Sequence, residues 1–332
     1  MARYIGSNRS EVIYGSNFRD IIYGNGGADD IYGKGGADDL YGDSGNDYIY
    51  GGDGADYLWG GTGTNDLWGG WGYDRFITSN RNSGYSDDLI HDFHSGSDQI
   101  DLRGWGVSSM DQLRDILLTD HDNNVVFHAT YNGYGHSLII DGYHPNELSA
   151  RDFVFDKGGS RDETGTRYGD VMFGSQSSDT LDGAGGADKI LGGNSSDKLF
   201  GGEGADRLYG GTGNDKLAGD AGRDQLVGGG GVDTFIFNEV TDSRGSQRDT
   251  ILDFKRAYDH IDVSGIDADK STAGDDAFTF VGDSVFTGVG QINFTRSGSD
   301  IIVAGNTDTD TDAEFQFIIH DIRSINVGDF IL

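Results

Sequence analysis

Isoleucine, leucine, methionine or phenylalanine recurs every nine residues along two long stretches of the chain, with glycine and polar residues between. The first series is Ile13, Ile22, Ile31, Leu40, Ile49, Leu58, Leu67 and Phe76; the second is Met172, Leu181, Ile190, Leu199, Leu208, Leu217, Leu226 and Phe235. A spacing of nine fits neither the period of a helix nor one continuous strand. It predicts a repeat in which a three-residue strand alternates with a turn. Cut from Gly6, the chain falls into eight nonapeptides ending at Ile77, among them GNGGADDIY, GKGGADDLY and GGDGADYLW. Eight more run from Gly165 to Ile236, among them GAGGADKIL, GGEGADRLY and GGTGNDKLA. Position one is glycine, position six is aspartate in all but two units, and position eight is the apolar residue.

The glycines stand where a tight turn needs positive φ and close backbone approach. Two nonapeptides then make one flattened coil, and stacked coils bury a thin double row of aliphatic side chains. Composition sharpens this picture. Glycine supplies 57 of 332 residues and proline one, Pro145, which fits neither collagen nor a proline-rich linker. The 56 acidic residues outnumber 24 lysines and arginines, for a formal charge of −32; only six are glutamate. A bias to the short carboxylate points to turns and cation ligation, and the charge argues against a nucleic-acid partner. With no cysteine, disulfides, thiolate zinc sites and a cysteine nucleophile are excluded.

The GGxGxDxUx unit is identified as the nonapeptide of the RTX (repeats-in-toxin) proteins, a calcium-binding repeat. The resemblance implies an all-β chain of two tandem parallel β-rolls, with an ion between turns eighteen residues apart. Each ion would take carbonyls from positions two and four and the position-six aspartate of one unit, with positions one, three and six of the second unit after it. In the first half that rule pairs Asp20 with Gly33, Gly35 and Asp38. It also pairs Asn25, Gly27 and Asp29 with Gly42, Ser44 and Asp47, and Lys34, Gly36 and Asp38 with Gly51, Asp53 and Asp56. Asp43, Gly45 and Asp47 would face Gly60, Thr62 and Asn65, while Gly52, Gly54 and Asp56 would face Gly69, Trp71 and Asp74. In the second half Asp179 goes with Gly192, Asn194 and Asp197, and Ala184, Gly186 and Asp188 go with Gly201, Glu203 and Asp206. Gly193, Ser195 and Asp197 go with Gly210, Thr212 and Asp215, and Gly202, Gly204 and Asp206 with Gly219, Ala221 and Asp224. Gly211, Gly213 and Asp215 complete the series with Gly228, Gly230 and Asp233. Eight units allow six such pairs per half, counting those of Glu11 with Asp29 and of Asp170 with Asp188, and twelve ions would offset 24 charges and take −32 to −8. Folding is therefore expected to be coupled to calcium.

Departures from the pattern lower that count. Glu11 and Asn65 replace the aspartate, and Arg9, Phe18, Tyr168, Ser177 and Ser195 replace the position-four glycine, so the first units of each half read as caps and four or five good sites per half are expected. Each repeat block is followed by matching segments, DDLIHDFHSGSDQIDL and DTILDFKRAYDHIDV, in which Asp92, Asp98 and Asp101 correspond to Asp253, Asp259 and Asp262. These resemble the caps of serralysin-type proteases and of mannuronan epimerase repeat modules. VVFHAT, SLIIDGY, FTFVG, QINFTR and FQFIIHD read as antiparallel strands finishing each roll, and MDQLRDILL as a short helix. The organisation expected is residues 1–158, a linker at 159–164 and residues 165–332.

No HExxH or GxSxG motif occurs, and His91 and His94 fall inside the cap, so no catalytic residue is assigned and the chain is read as non-enzymatic. Asp308, Asp310 and Asp312 alternate in GNTDTDTDAEF, as a further calcium loop or a solvated acidic turn. There is no N-terminal h-region and no run long enough for a membrane helix, whereas the closing VGDFIL is similar to the uncleaved tails of RTX proteins exported by a type I secretion apparatus, or is an ordinary last strand. Export has a physical logic, since low cytosolic calcium leaves the chain unfolded and millimolar external calcium folds it. Position nine reads Tyr14, Tyr23, Tyr32, Tyr41, Tyr50, Trp59 and Trp68, which predicts one outward ladder of four rings and one of three, either stabilising the sheets or forming a platform for sugars; Trp71 lies beside it. The readings left open are an extracellular calcium-folded module binding polysaccharide, a membrane-active host-signalling protein like RTX proteins of rhizobia, and the non-catalytic part of an enzyme system. Ice binding is excluded, because no regular threonine and asparagine array is present.

Overall fold

Strands eighteen residues apart lie side by side in parallel, so that Ile22, Leu40, Leu58 and Phe76 form one row and Ile13, Ile31, Ile49 and Leu67 another. Because eighteen residues are two units, alternate units build opposite sheets and the chain winds into a flattened roll. Each row continues into the cap, through Ile100 and Phe153 on one side and through Ile90 and Ile140 on the other. From Ile22 to Phe76 these side chains are at most 1% exposed, so the roll has a core one aliphatic residue thick per strand.

A computed structural model describes residues 1–332 other than 80–83, 116, 120–123, 132, 273–275 and 311. It divides into Met1–Lys157 and Gly158–Leu332. In the first unit Ala2–Ile5, Asp20–Tyr23, Asp39–Tyr41, Tyr57–Trp59, Arg75–Ile77, Gln99–Asp101 and Phe153–Val154 make one parallel sheet. Val12–Tyr14, Asp30–Gly35, Tyr48–Gly54, Gly63–Gly72 and Ser86–Ile90 make the other, extended by three strands of the cap. The second unit repeats the plan from Asp162–Thr164 and Val171–Phe173 onward.

Two turn positions explain the glycines. Position two takes the left-handed conformation, as at Gly52 (φ 109°) and Gly202 (φ 91°), and forces it on Asn25 (φ 69°), Lys34 (φ 78°) and Ala184 (φ 66°). At position four a Cβ on Gly45 or Gly54 would collide with the carbonyl oxygen of Gly27 or Gly36, one coil earlier.

Three expectations change. The cap strands are antiparallel only to one another: Val125–Tyr131 and Tyr134–Ile140 form a hairpin, but Tyr134–Ile140 joins the roll in parallel beside Ser86–Ile90. Likewise Phe315–Ile319 joins Thr250–Ile251 in parallel, and Thr279–Phe280, within FTFVG, pairs in parallel with Gln291 and Ile292. A roll extends by parallel addition, so a cap must present a parallel strand first. The helix covers only Met110–Asp115; Leu117–Thr119 is a strand against Val125–Phe127, and Ile116 lies outside the described residues. Residues 159–164 are not all linker, because Asp162–Thr164 is the first strand of the second roll and pairs with Thr180–Asp182. The closing tail includes a last strand, Phe330–Ile331, beside Ile261 and Asp262.

A core this thin makes each rung count. In the folded, calcium-loaded chain Ile49→Ala should cost about 2–5 kcal/mol in denaturant unfolding, whereas Val12→Ala at the exposed end should cost less than about 1 kcal/mol.

Candidate metal centre

The repeat places one aspartate per turn inside the roll. Asp29, Asp38, Asp47 and Asp56 are 0% exposed, and Asp188, Asp197, Asp206 and Asp215 nearly so. One oxygen of each carboxylate is committed to the fold: the backbone N–H of Asp29 donates to Asp47 Oδ1 at 2.8 Å, that of Asp38 to Asp56 at 2.8 Å, and that of Asp188 to Asp206 at 2.8 Å. The other oxygen has no donor. Buried Oδ2 atoms without a hydrogen-bond partner occur at Asp29, Asp38, Asp47, Asp56 and Asp74, and at Asp188, Asp197, Asp206, Asp215, Asp224 and Asp233. A buried carboxylate oxygen without a donor or cation is strongly destabilising, so the fold calls for a positive partner at each of these points.

Backbone oxygens converge on the same gaps. A Cβ built on Gly24 would lie 2.6 Å from Asp29 Oδ2 and 2.7 Å from the Gly42 carbonyl; on Gly51 it would lie 2.6 Å from Asp56 Oδ2 and 2.5 Å from the Gly69 carbonyl. The same cradle recurs at Gly33, Gly42, Gly192, Gly201 and Gly210. The position-two carbonyls of Asp43 and Ala184 and the position-three carbonyls of Ser44, Asp53, Thr62 and Glu203 each accept one hydrogen bond from the adjacent coil, which leaves a second lone pair, whereas the Asn25 carbonyl accepts both the N–H and the hydroxyl of Ser44. Lys34, Gly35, Gly52, Asp53, Gly54 and Trp71 lie in register between neighbouring coils, as do Gly193, Asn194, Gly202, Glu203, Gly204, Gly211, Thr212, Ala221 and Gly230. Carboxylate and carbonyl oxygens without a nitrogen or sulfur are the donor set of a hard cation, and calcium fits it. When bound, calcium would neutralise facing carboxylates; Asp29, Asp38, Asp47, Asp56, Asp188, Asp197, Asp206 and Asp215 would hold it.

Burial raises the affinity of these carboxyls for protons. Asp47, Asp56, Asp188 and Asp197 are pushed up to about 7, and Asp38, Asp74, Asp206 and Asp215 to about 6, chiefly by desolvation, with the donated backbone N–H opposing it.

Three expected ligands are differently employed. Asp20 Oδ2 accepts from the Ser16 N–H and hydroxyl, both at 2.7 Å, and Oδ1 from the Ala2 N–H at 2.9 Å. Burial works against its ionisation, but these bonds outweigh it and hold Asp20 below the ordinary value. Asp179 is satisfied in the same way by Ser175 and the Arg161 N–H. The first two turns of each roll are therefore serine or threonine clasps, with Ser7 serving Glu11 and Thr166 serving Asp170. Asn65 Oδ1 accepts the Asp47 N–H, while its Nδ2 donates to Asp88 Oδ1 at 2.8 Å and stands in the cradle of Gly60. An amide donor there replaces a cation. At the far end Asp92 and Asp253 accept backbone N–H groups of Gly69, Gly70, Gly228 and Gly229, and Asp98 and Asp259 those of Asp74 and Asp233.

Asp308 and Asp310 come together with Glu314 rather than with Asp312 in an exposed acidic turn, and Thr311 lies outside the described residues. The aromatic ladders form as two rows. Tyr14, Tyr32, Tyr50 and Trp68 stack at 5.1, 4.9 and 4.3 Å, and Tyr23 and Tyr41 at 4.8 Å, with Trp59 edge-on to Tyr41. His91, which the sequence places inside the cap, continues the first row at 4.1 Å from Trp68, its Nε2 2.7 Å from Asp66. Rings stacked face to face turn edges to solvent, so the interior of the ladder offers no open faces for sugars.

A cleft of about 440 Å³ does lie nearby, lined by Tyr57, Tyr73, Arg75, Gln99 and Arg151 together with Asp74 and Asp98. The Arg75 guanidinium lies 5.3 Å over the Tyr57 ring and donates to Gln99 Oε1 at 3.0 Å. Tyr73 is 73% exposed and Trp71 83%.

Proton and calcium compete for the raised carboxyls. The metal-free fold binds more protons than the unfolded chain, whose aspartates titrate near about 4, so acidification through the window from about 7 to about 4 should stabilise the metal-free roll and weaken calcium binding. Titration followed by circular dichroism should show the calcium needed for half-folding falling from about pH 7.5 to about pH 5.5, because protons stabilise the metal-free roll while the unfolded chain and the calcium-loaded roll both keep their aspartates ionised. An unchanged requirement would contradict this site chemistry.

The family profile described as RTX calcium-binding nonapeptide repeat matches residues 5–40 and 41–76, and the one described as Peptidase M10 serralysin C terminal matches residues 122–332. Among solved structures, the AlgE6R3 subunit of the mannuronan C5-epimerase of Azotobacter vinelandii is 26% identical, over 54% of this chain and 81% of that one, with a TM-score of 0.31. The AlgE6R2 subunit of the same enzyme is 23% identical, over 46% and 91%, with a TM-score of 0.28. The extracellular lipase LipA of Serratia marcescens is 15% identical, over 100% of this chain and 40% of that one, with a TM-score of 0.30. No curated protein sequence matches the chain. Repeats with a calcium-type donor set, and a second profile that spans more than half of the chain and takes in the second roll with its cap, place it plainly: it belongs to the serralysin C-terminal family and is a calcium-binding RTX protein.

Proposed function

We propose that this chain is a secreted, non-catalytic module that calcium folds outside the cell and that binds polysaccharide, with the cleft of the first roll as its contact site. The observation that carries the reading is the cleft itself. In a chain of charge −32 it brings two arginines together with two tyrosines and a glutamine. An exposed tyrosine ring suits the apolar face of a sugar, and guanidinium groups suit its carboxylates or hydroxyls. The second roll lacks the set: Lys216, Val232 and Thr234 stand at the repeat positions of Tyr57, Tyr73 and Arg75. Asp74 and Asp98 line the cleft as well, so a calcium-filled roll makes it less repulsive to an acidic chain.

Export through a type I apparatus accords with a fold that waits for external calcium. Among the described residues no helix is long and apolar enough to cross a membrane.

The test is binding of the purified chain to acidic and neutral polysaccharides, in calcium and in chelator. Binding to an acidic polysaccharide in calcium is expected, and the double variant Arg75→Ala, Arg151→Ala should weaken it at least ~10-fold, while Trp59→Ala should not. Binding that survives loss of both arginines would overturn the assignment of the cleft.

A further inference from the structure

The second roll has a buried carboxylate pair that joins a repeat to the segment after the repeats. Asp224 is the position-six aspartate of the seventh repeat of that roll, and Asp249 opens the segment that continues the sheet. The pairing of Gln225 with Thr250 and of Leu226 with Ile251 sets the two aspartates side by side, just as repeat aspartates are set eighteen residues apart. The Asp224 N–H donates to Asp249 Oδ1 at 2.9 Å, the bond found between successive repeat aspartates. Asp224 is 1% exposed and Asp249 0%. Oδ2 of each is buried without a hydrogen-bond partner. A Cβ on Gly219 would lie 2.6 Å from Asp224 Oδ2, as at the other repeat glycines, but with no glycine carbonyl as close as the one that completes the cradle inside the repeats.

The surroundings add negative charge. Asp242, 6% exposed, acts on Asp249, and Asp220 acts on Asp224. No ion pair among the described residues links any of these four to a lysine or arginine. Facing carboxylates in such a place cannot both stay charged without a cation.

The first roll shows the alternative solution at the same place. There Asn65 stands for Asp224, Asp88 for Asp249 and Gly61 for Asp220, and the Asn65 amide donates to Asp88 at 2.8 Å. One roll closes the gap with an N–H donor, whereas the other presents two bare oxygens. We infer that a calcium ion sits between Asp224 and Asp249, joining the second roll to its cap at a site the first roll has replaced by an amide. The inference rests on the calcium reading of the repeats and adds to it one ion with a ligand from outside the nonapeptides.

The experiment counts calcium ions per full-length chain by equilibrium dialysis at saturation. Asp249→Asn keeps the Oδ1 acceptor and supplies a donor to Asp224, mirroring Asn65 and Asp88, so it should fold and bind one ion fewer than the parent. Asn65→Asp should bind one more. An Asp249→Asn chain that folds and binds as many ions as the parent overturns the proposal, because the pair then shares a proton instead. A parent that binds no calcium would instead sink the reading of the repeats. Should Asp249→Asn not fold, a crystal structure of the parent in calcium decides: an ion within about 2.3–2.6 Å of both Oδ2 atoms is expected, and a gap or a water there is the contrary result.

Discussion

A carboxylate oxygen with no donor, buried once per turn, is the constraint on which the rest of this structure depends. The backbone of each coil donates to one oxygen of the aspartate in the next, as from Asp29 to Asp47 and from Asp38 to Asp56, and thereby fixes the spacing of the coils. The same bond aims the second oxygen into a gap lined by glycine carbonyls. Like charges are thus stacked along both edges of a roll whose core is one aliphatic residue per strand. Such a core does not outweigh unpaired buried carboxylates, so the cation is part of the fold rather than an addition to it.

The ends of each roll obey the same constraint by other means. At the start, Ser7, Ser16, Thr166 and Ser175 give hydrogen bonds to the position-six acid, so the first turns need no ion to satisfy it. At the finish, Asp92, Asp98, Asp253 and Asp259 of the caps accept N–H groups that no further coil is there to take up. Between these limits the repeat aspartates keep one buried oxygen without a donor, as at Asp56 and Asp74 or Asp215 and Asp233.

The roll was legible because its period is strict: nine residues fix which side chain is buried, which aspartate enters the turn and which aromatic meets its neighbour eighteen residues on. The two ladders, of four and three rings, follow from that arithmetic. The clasps were less visible, because a serine at position two reads as one more polar turn residue; its signal is that Ser16 and Ser175 coincide with loss of the position-four glycine at Phe18 and Ser177. Asn65 could be seen as a departure, but its partner Asp88 lies beyond the last nonapeptide, where no repeat predicts it. The parallel attachment of the cap hairpins is likewise set by the roll's open edge and not by their alternation.

The dependence of fold on cation is tested most directly by the far-ultraviolet circular dichroism of the purified chain, in excess chelator and then in millimolar calcium. A disordered spectrum that converts cooperatively to a β-sheet spectrum on adding calcium, and reverts on chelation, is the predicted result. A β-sheet spectrum of equal strength in chelator at neutral pH would contradict the account, since the stacked carboxylates would then be tolerated without a counter-ion.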